Sequence, residues 1–344
     1  MNCPDENILS DYLAGDVSTS ELASVTAHME ECTSCRDLIA ELARTAPARL
    51  LPADAPDEAM HVDALYPGVA IMGHFVLRRL LGAGGMGIVW AAEEPDGTEV
   101  ALKFLRTEDA EHRRRLLREA RIARSLVHPN VVWVREVLDS TQLSSPVLVM
   151  DLVRGEPLEV RLRRPPPLTL AGTAALLEPV VRGVMAAHAQ GIVHRDLKPQ
   201  NILVDWDATP APRAYVLDFG VAKILFAAEG ASARITRSGA VMGTPQYMAP
   251  EQLFGERELD HRADIWSLGT ILYRCLAGVA PISGSSFGEV FKAVTVGTIP
   301  RLRDVAPSLP ERMLGLVDSM LVRDRTKRLD RLDPVADALA AFVA

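Results

Sequence analysis

The chain has no basic excess, no export leader, no long apolar run and no dense set of cysteines, and each absence removes a class of function. Its 344 residues carry a formal net charge of −8 with a sequence pI near 5.6. A nucleic-acid surface, which shows as a basic surplus, is therefore not expected. No apolar stretch approaches the roughly 20 residues that cross a bilayer. The opening Met1-Asn2-Cys3-Pro4-Asp5-Glu6 has neither a basic n-region nor an apolar h-region, so export is not expected either. The expectation is a cytoplasmic chain without a membrane span. Four cysteines in a chain this long do not read as a disulfide framework. Three of them fall within the first 35 residues, which points to a local metal or redox site. The length predicts two domains and suffices to bury a core.

Residues 1–44 read as a small all-α module. Glu6 to Leu13 suits a short helix ended by Gly15, and Ser18, Thr19 and Ser20 suit the cap of a second, with Glu21 in its first turn. That second helix carries His28-x-x-x-Cys32-x-x-Cys35. Spacings of four and three put all three side chains on one helical face. One imidazole and two thiolates make a zinc site that lacks one ligand. Cys3, returned by a helical hairpin, is the obvious fourth ligand, with Asp5, Glu6 or a water as alternatives. The alternative to a structural site is a redox-labile one, in which oxidation of Cys32 and Cys35 ejects the metal. So small a module has little core, and metal would supply much of its folding free energy. The His-x3-Cys-x2-Cys pattern resembles the zinc-binding anti-sigma-type domain of bacteria, and that resemblance implies a regulatory protein partner. Residues 45–72 turn to Ala and Pro and read as a linker.

Beyond it the pattern changes to strands, at Phe75 to Leu81, Ile88 to Ala92 and Glu99 to Leu105, the last two joined by the turn signal Pro95-Asp96-Gly97. Between Leu81 and Val89 lies Gly82-Ala83-Gly84-Gly85-Met86-Gly87. Such a glycine pattern also opens dinucleotide-binding domains, but there a helix follows it. Here a strand follows, so a hairpin closing over phosphates fits better. Val100-Ala101-Leu102-Lys103 then aims a lysine at the phosphates. On the helix from His112 to Ser125, Glu119 is the expected ion-pair partner of Lys103, and Arg113, Arg114, Arg115 and Arg118 read as a solvated face. Two more strands, Val131 to Leu138 and Pro146 to Met150, lead to a hinge at Met150-Asp151-Leu152-Val153. Backbone groups of Asp151 and Val153 would bond an adenine edge, and Met150 would line its pocket.

Then comes His194-Arg195-Asp196-Leu197-Lys198-Pro199-Gln200-Asn201. A carboxylate, a cation and a carboxamide within eight residues suit phosphoryl transfer: a base for a hydroxyl, a charge for the phosphate, an oxygen for the metal. Together with the glycine loop, Lys103 and Asp218-Phe219-Gly220, these residues resemble the bacterial Ser/Thr protein kinases of the eukaryotic-like family. The resemblance implies an α+β, bilobal kinase fold over residues 73–344, with a β-rich first lobe and a helical second lobe.

It also implies roles. Asp196 is the base, Lys198 neutralises the transferred phosphate, and Asn201 and Asp218 hold Mg²⁺ (or Mn²⁺). Leu81 through Gly87, Val89, Ala101, Lys103, Glu119, Met150, Asp151 and Val153 bind ATP. Thr236 and Ser238 are phosphoacceptor candidates for which Arg195 is the receiver, while Thr244 bonds the catalytic loop. Glu251 pairs with Arg328, Asp264 anchors the catalytic loop, and Cys275 reads as core. The expected activity is that of a Ser/Thr protein kinase using ATP on protein substrates, with transient homodimers during trans-phosphorylation. No membrane span or sensor domain is expected after residue 344.

Overall fold

In a computed structural model, the described residues are Cys3–Asp5, Ser24, Val25, His28, Cys32, Cys35 and 65–343, apart from 85–86, 107–109, 141–142, 144, 210, 220–244 and 257. The helix expected over Glu6 to Leu13 and the Ser18 to Ser20 cap of the second lie outside them, while Ser24, Val25, His28 and Cys35 of the second are described and helical. The chain divides into two compact units, Met1–Arg121 with Val134–Leu152, and Ile122–Trp133 with Val153–Ala344. The division at Leu152–Val153 falls within the segment read as a hinge.

The first unit is built on an antiparallel sheet of order β1-β2-β3-β4-β6-β5. Its strands are β1 (Ala70–Ile71), β2 (Phe75–Gly84), β3 (Gly87–Glu93), β4 (Glu99–Leu105), β5 (Val134–Leu138) and β6 (Val147–Asp151), with helix α1 (Ala110–Arg124) between β4 and β5. Alternation sets the faces. Ile88, Trp90, Ala92, Val100, Leu102 and Phe104 share one buried cluster, and the intervening Val89, Ala101 and Lys103 project from the other face. Gly87, at φ 142°, closes the glycine hairpin, and a Cβ there would meet the Phe104 carbonyl oxygen at 1.9 Å.

Three readings are corrected in and next to this unit. The stretch read as linker to residue 72 ends in ordered structure: Leu65, Val69 and Ile71 are buried, and β1 pairs Ile71 with Phe75. Apolar residues next to a pairing edge overrode the Ala/Pro composition around them. The strand expected from Val131 starts only at Val134, because Val131 forms an isolated parallel bridge with Val216 instead. Arg113 does not belong to a solvated face, since its Nε donates to Asp139 at 2.8 Å and its Nη2 to the Ser140 carbonyl at 3.2 Å.

The second unit is mainly helical: α2 (Leu158–Leu162), α3 (Leu170–Ala189), α4 (Pro250–Leu253), α5 (Arg262–Ala277), α6 (Phe287–Thr295), α7 (Leu302–Val305), α8 (Glu311–Met320) and α9 (Asp333–Ala340). A small sheet joins β7 (Glu156–Pro157), β8 (Ile202–Asp205) and β9 (Arg213–Val216). Thr169 caps α3 by accepting from the Gly172 N–H at 3.0 Å. At 20 residues with a mean hydropathy of 1.3, α3 is long and apolar enough to cross a membrane. The expectation that no run approached that length is therefore corrected. Here Leu177, Val180, Val181 and Val184 of α3 are wholly buried in the main core with Ile271 and Leu272 of α5. Cys275 is buried in the same core, and that burial pushes its thiol up to about 12.

Candidate active site and metal centre

The loop from His194 to Asn201 is held by one buried carboxylate. Asp264, at the start of α5, accepts the His194 N–H with Oδ2 and the Arg195 N–H with Oδ1, each at 2.8 Å. His188 of α3 adds a contact from Nε2 to Oδ2 at 2.8 Å. Arg195 takes the left-handed conformation at φ 67°, which costs a non-glycine residue roughly 1–3 kcal/mol. Three bonds hold it there: its N–H to Asp264, its Nη2 to the Leu259 carbonyl at 3.1 Å, and its carbonyl to Gln252 Nε2 at 2.7 Å.

The next residue, Asp196, is thereby turned to face its partners. Lys198 Nζ and Asn201 Nδ2 donate to its Oδ2 at 2.8 and 3.1 Å, and Asn201 Nδ2 also reaches its carbonyl at 2.8 Å. The register Ile202↔Val216 between β8 and β9 brings the residues flanking this ribbon to one end. The Leu217 N–H donates to the Asn201 carbonyl at 2.9 Å, which sets Asp218 beside Asn201. Asp218 is itself left-handed at φ 62°. His194 bonds the Leu217 carbonyl through Nε2 at 2.7 Å and meets the Phe219 ring edge-on at 4.8 Å. Two non-glycine residues in a strained conformation thus occupy one small region, where strain usually serves function.

Burial pushes the Asp264 carboxyl up, but the His188 imidazole and the His194 N–H outweigh it and hold the group below the ordinary carboxylate range. The unfolded value is about 3.9. Asp264 therefore contributes stability that is full above that value and is lost as pH falls through the lower folded-state value. The stability gap between the native chain and Asp264→Asn should be constant near neutrality and narrow below about pH 4. Denaturant unfolding at a series of pH values reads this gap, and a gap unchanged down to pH 3 would contradict it.

In the first unit, one ligand atom each from Cys3, His28, Cys32 and Cys35 lies within 4.8 Å of all the others. The Cys3 and Cys32 sulfurs are 4.0 Å apart, against roughly 3.8 Å for two thiolates on a tetrahedral zinc with 2.3 Å bonds. His28 is buried, and its Nε2 has no hydrogen-bond partner. A buried imidazole gathered with three cysteine sulfurs fits a zinc ion. Cys3 joins the set, whereas Asp5 does not, and Glu6 lies outside the described residues.

The description "Protein kinase domain" matches residues 75–339. This chain belongs to the protein kinase family. A second description, "Putative zinc-finger", matches residues 6–36. Serine/threonine-protein kinase PknA of Mycobacterium tuberculosis is 37% identical over 284 residues, covering 80% of this chain and 63% of that protein. PkaB of Streptomyces coelicolor is 38% identical over 269 residues, covering 75% and 61%. PknH of Mycobacterium bovis is 36% identical over 283 residues, covering 80% and 44%. The chain thus spans less than two thirds of the length of these curated relatives. Among solved structures, the kinase domain of Mycobacterium tuberculosis PknI superposes with a TM-score of 0.61 at 26% identity, covering 81% of this chain and 99% of that one.

The kinase fold accounts for the strand-rich first unit and the helical second one. A kinase domain implies ATP and a divalent metal, and the sheet face that carries Lys103 is where residues read as nucleotide-binding collect. Val89 lies opposite Lys103 in the β3–β4 register, and Ala101 lies opposite Met150 in the β4–β6 register. Lys103 is buried; Glu119, on α1, is half-buried. Leu81 lies on β2 with Gly82, Ala83 and Gly84, and Gly82 registers with Val89. The Asp151 carboxylate bonds Arg135 Nε through Oδ1 at 2.5 Å. Val153 belongs to the second unit. Gly85, Met86, Gly220, Thr236, Ser238 and Thr244 lie outside the described residues of the kinase.

Several supporting residues of this kinase escaped sequence reasoning. Gln252 donates to the Arg195 carbonyl while its Oε1 accepts the Ala249 N–H at 3.0 Å. Its place three residues after a helix cap was the available signal. Arg274 reaches Glu159 at 2.5 and 3.0 Å and the Tyr247 hydroxyl at 2.5 Å, linking α2, α5 and the turn before α4. Burial pushes the Tyr247 hydroxyl up to about 12, so it stays protonated.

Proposed function

We propose that this chain is an active Ser/Thr protein kinase that transfers the γ-phosphate of Mg-ATP to protein hydroxyls, phosphorylates its own activation segment, and serves bacterial signalling in the cytoplasm. The observation that carries this reading is the Asp196 carboxylate, bridged by Lys198 and Asn201 in a loop locked by Asp264. In it Asp196 orients a Ser or Thr hydroxyl and accepts its proton. Lys198, already against Asp196, neutralises charge on the phosphate in transit. Asn201 and Asp218 would hold the magnesium, whose charge offsets that of the phosphates. Lys103 positions the nucleotide with Glu119 as its partner, under the hairpin from Gly82 to Gly87, while Met150, Asp151 and Val153 receive the base. Transfer is in line, at roughly 1–100 s⁻¹ for enzymes of this kind.

Arg195 would receive a phosphate on Thr236 or Ser238 through charge-assisted bonds, with Thr244 bonding the catalytic loop. Trans-phosphorylation implies a transient homodimer. The division is a zinc module at 1–44, a connection at 45–72 whose last residues, Leu65 to Ile71, pack on the kinase sheet, and the kinase at 73–344. The module holds zinc through Cys3, His28, Cys32 and Cys35 and offers a surface to a regulatory protein partner. A pseudokinase reading finds no support in the sequence, which retains Lys103, Glu119, Asp196, Asn201 and Asp218. Native mass spectrometry of the full chain after incubation with Mg-ATP tests both halves. It should show one zinc per chain, absent in Cys32→Ser, and added phosphates on Ser or Thr that disappear when magnesium is chelated. Failure to label either itself or any Ser/Thr protein substrate would overturn the activity.

A further inference from the structure

We propose that the metal centre works as a clamp on the kinase's own sheet: with zinc bound it seats Val25 in the core of the first unit, and without zinc that seat is lost. The inference rests on the zinc reading above. Val25 is 1% exposed and belongs to one buried cluster with Leu65, Ile71, Leu77, Trp90 and Leu102. Ser24, Val25, His28 and Cys35 are helical, and the Cys32 N–H donates to the His28 carbonyl at 2.9 Å, as in a helix turn. Val25 and His28 are three positions apart, so Val25 shares the face of a metal-ligand candidate. The face that carries His28 is therefore the face that enters the kinase core.

Its place in that core is specific. Trp90 and Leu102 are opposite one another on β3 and β4, and their neighbours Val89 and Lys103 form the next pair. Successive residues of a strand point to opposite faces, so Val25 covers the back of the sheet whose front carries Lys103. One valine is a weak anchor for a short helix, which is marginal by itself. Metal bonds to Cys3, His28, Cys32 and Cys35 fix the helix orientation that delivers Val25 to the sheet. Coupling of this kind is reciprocal: whatever zinc adds to the seating of Val25, the seated Val25 adds to zinc affinity.

Hydrogen–deuterium exchange on the full chain, read with zinc content by mass spectrometry, tests the clamp. The reporting amides are those of Gly68 and Leu77, bonded to the Leu77 and Val69 carbonyls at 2.7 and 2.9 Å. Removing zinc with a chelator should speed exchange over 68–77 by roughly 5-fold or more, the lower end of typical coupling between sites, while α5 stays unchanged. Val25→Asp should reproduce that acceleration, and chelation should then add little. Val25→Ala, a milder change in case the aspartate variant folds poorly, should weaken zinc binding in competition with a chelator by the same factor by which zinc slows exchange in the native chain. A chain that holds zinc yet shows equal exchange at 68–77 with and without it, and equal zinc affinity in Val25→Ala, overturns the clamp and spares the zinc site. A native chain that binds no zinc removes both.

Discussion

Asp196→Asn should lower phosphoryl transfer by about 10²–10⁴-fold, the range supplied by a general base, while ATP binding and thermal stability stay close to native. The structure explains why the two effects separate. The carboxylate accepts Lys198 Nζ and Asn201 Nδ2 at Oδ2, and the loop backbone is held independently by Asp264 and Gln252. An asparagine of equal size keeps an oxygen for one donor and leaves the anchors in place. It cannot take the proton of a substrate hydroxyl. Single-turnover transfer to a protein substrate, with nucleotide affinity measured alongside, distinguishes loss of the base from loss of the site. A variant that retains a rate within tenfold of native would sink the assignment of Asp196.

How legible this arrangement was depended on the range of the interaction. The catalytic loop, the glycine hairpin and the His28-Cys32-Cys35 stripe are local patterns, in which chemistry and spacing coincide within a few residues. The structure adds what spacing could not show. Cys3 meets Cys32 from 29 residues away, and Val25 enters a cluster made of strands beginning 45 residues later. Arg274 finds Glu159 across 115 residues, and His188 finds Asp264 across 76. No local rule carries such pairings, because they are fixed by how elements pack. Composition misled where it stood in for packing. The Ala/Pro tract masked Val69 and Ile71, whose alternation is too short to register as a strand, although sheet pairing makes it one. On α3, Glu178 and Arg182 break the apolar run by eye, yet they bond each other at one turn's spacing, and the remaining helix is apolar enough to fill a core.

Arg328→Met should destabilise the second unit by about 3–5 kcal/mol, the cost of stranding one partner of a buried ion pair. That is a large share of the roughly 5–15 kcal/mol that holds a domain folded. Arg328 uses all five of its donors. Nη1 and Nη2 meet the two Glu251 oxygens at 2.7 and 2.9 Å, and the other three bonds go to the carbonyls of Val322, Arg262 and Arg323 at 2.8, 2.8 and 3.1 Å. The guanidinium also lies 5.1 Å from the centre of the Trp266 ring. With its side chain at 0% exposure and that of Glu251 at 4%, water cannot replace the lost donors without opening the core. Methionine fills much of the volume but leaves a buried carboxylate without its cation and three carbonyls each short of one donor. The double variant Glu251→Leu with Arg328→Met should recover only part of the loss, because it removes the stranded charge and does not replace the donors lost at the three carbonyls. Thermal unfolding should register the single variant as a fall of roughly 6–20 °C. Since Glu251 opens α4 and Gln252 beside it holds the Arg195 carbonyl, the same substitution loosens the catalytic loop from a distance. Its transfer rate should therefore drop even at temperatures well below melting, while Asp196, Lys198 and Asn201 keep their identities. A variant that melts with the native chain would show that this pair is not a stabilising element of the fold.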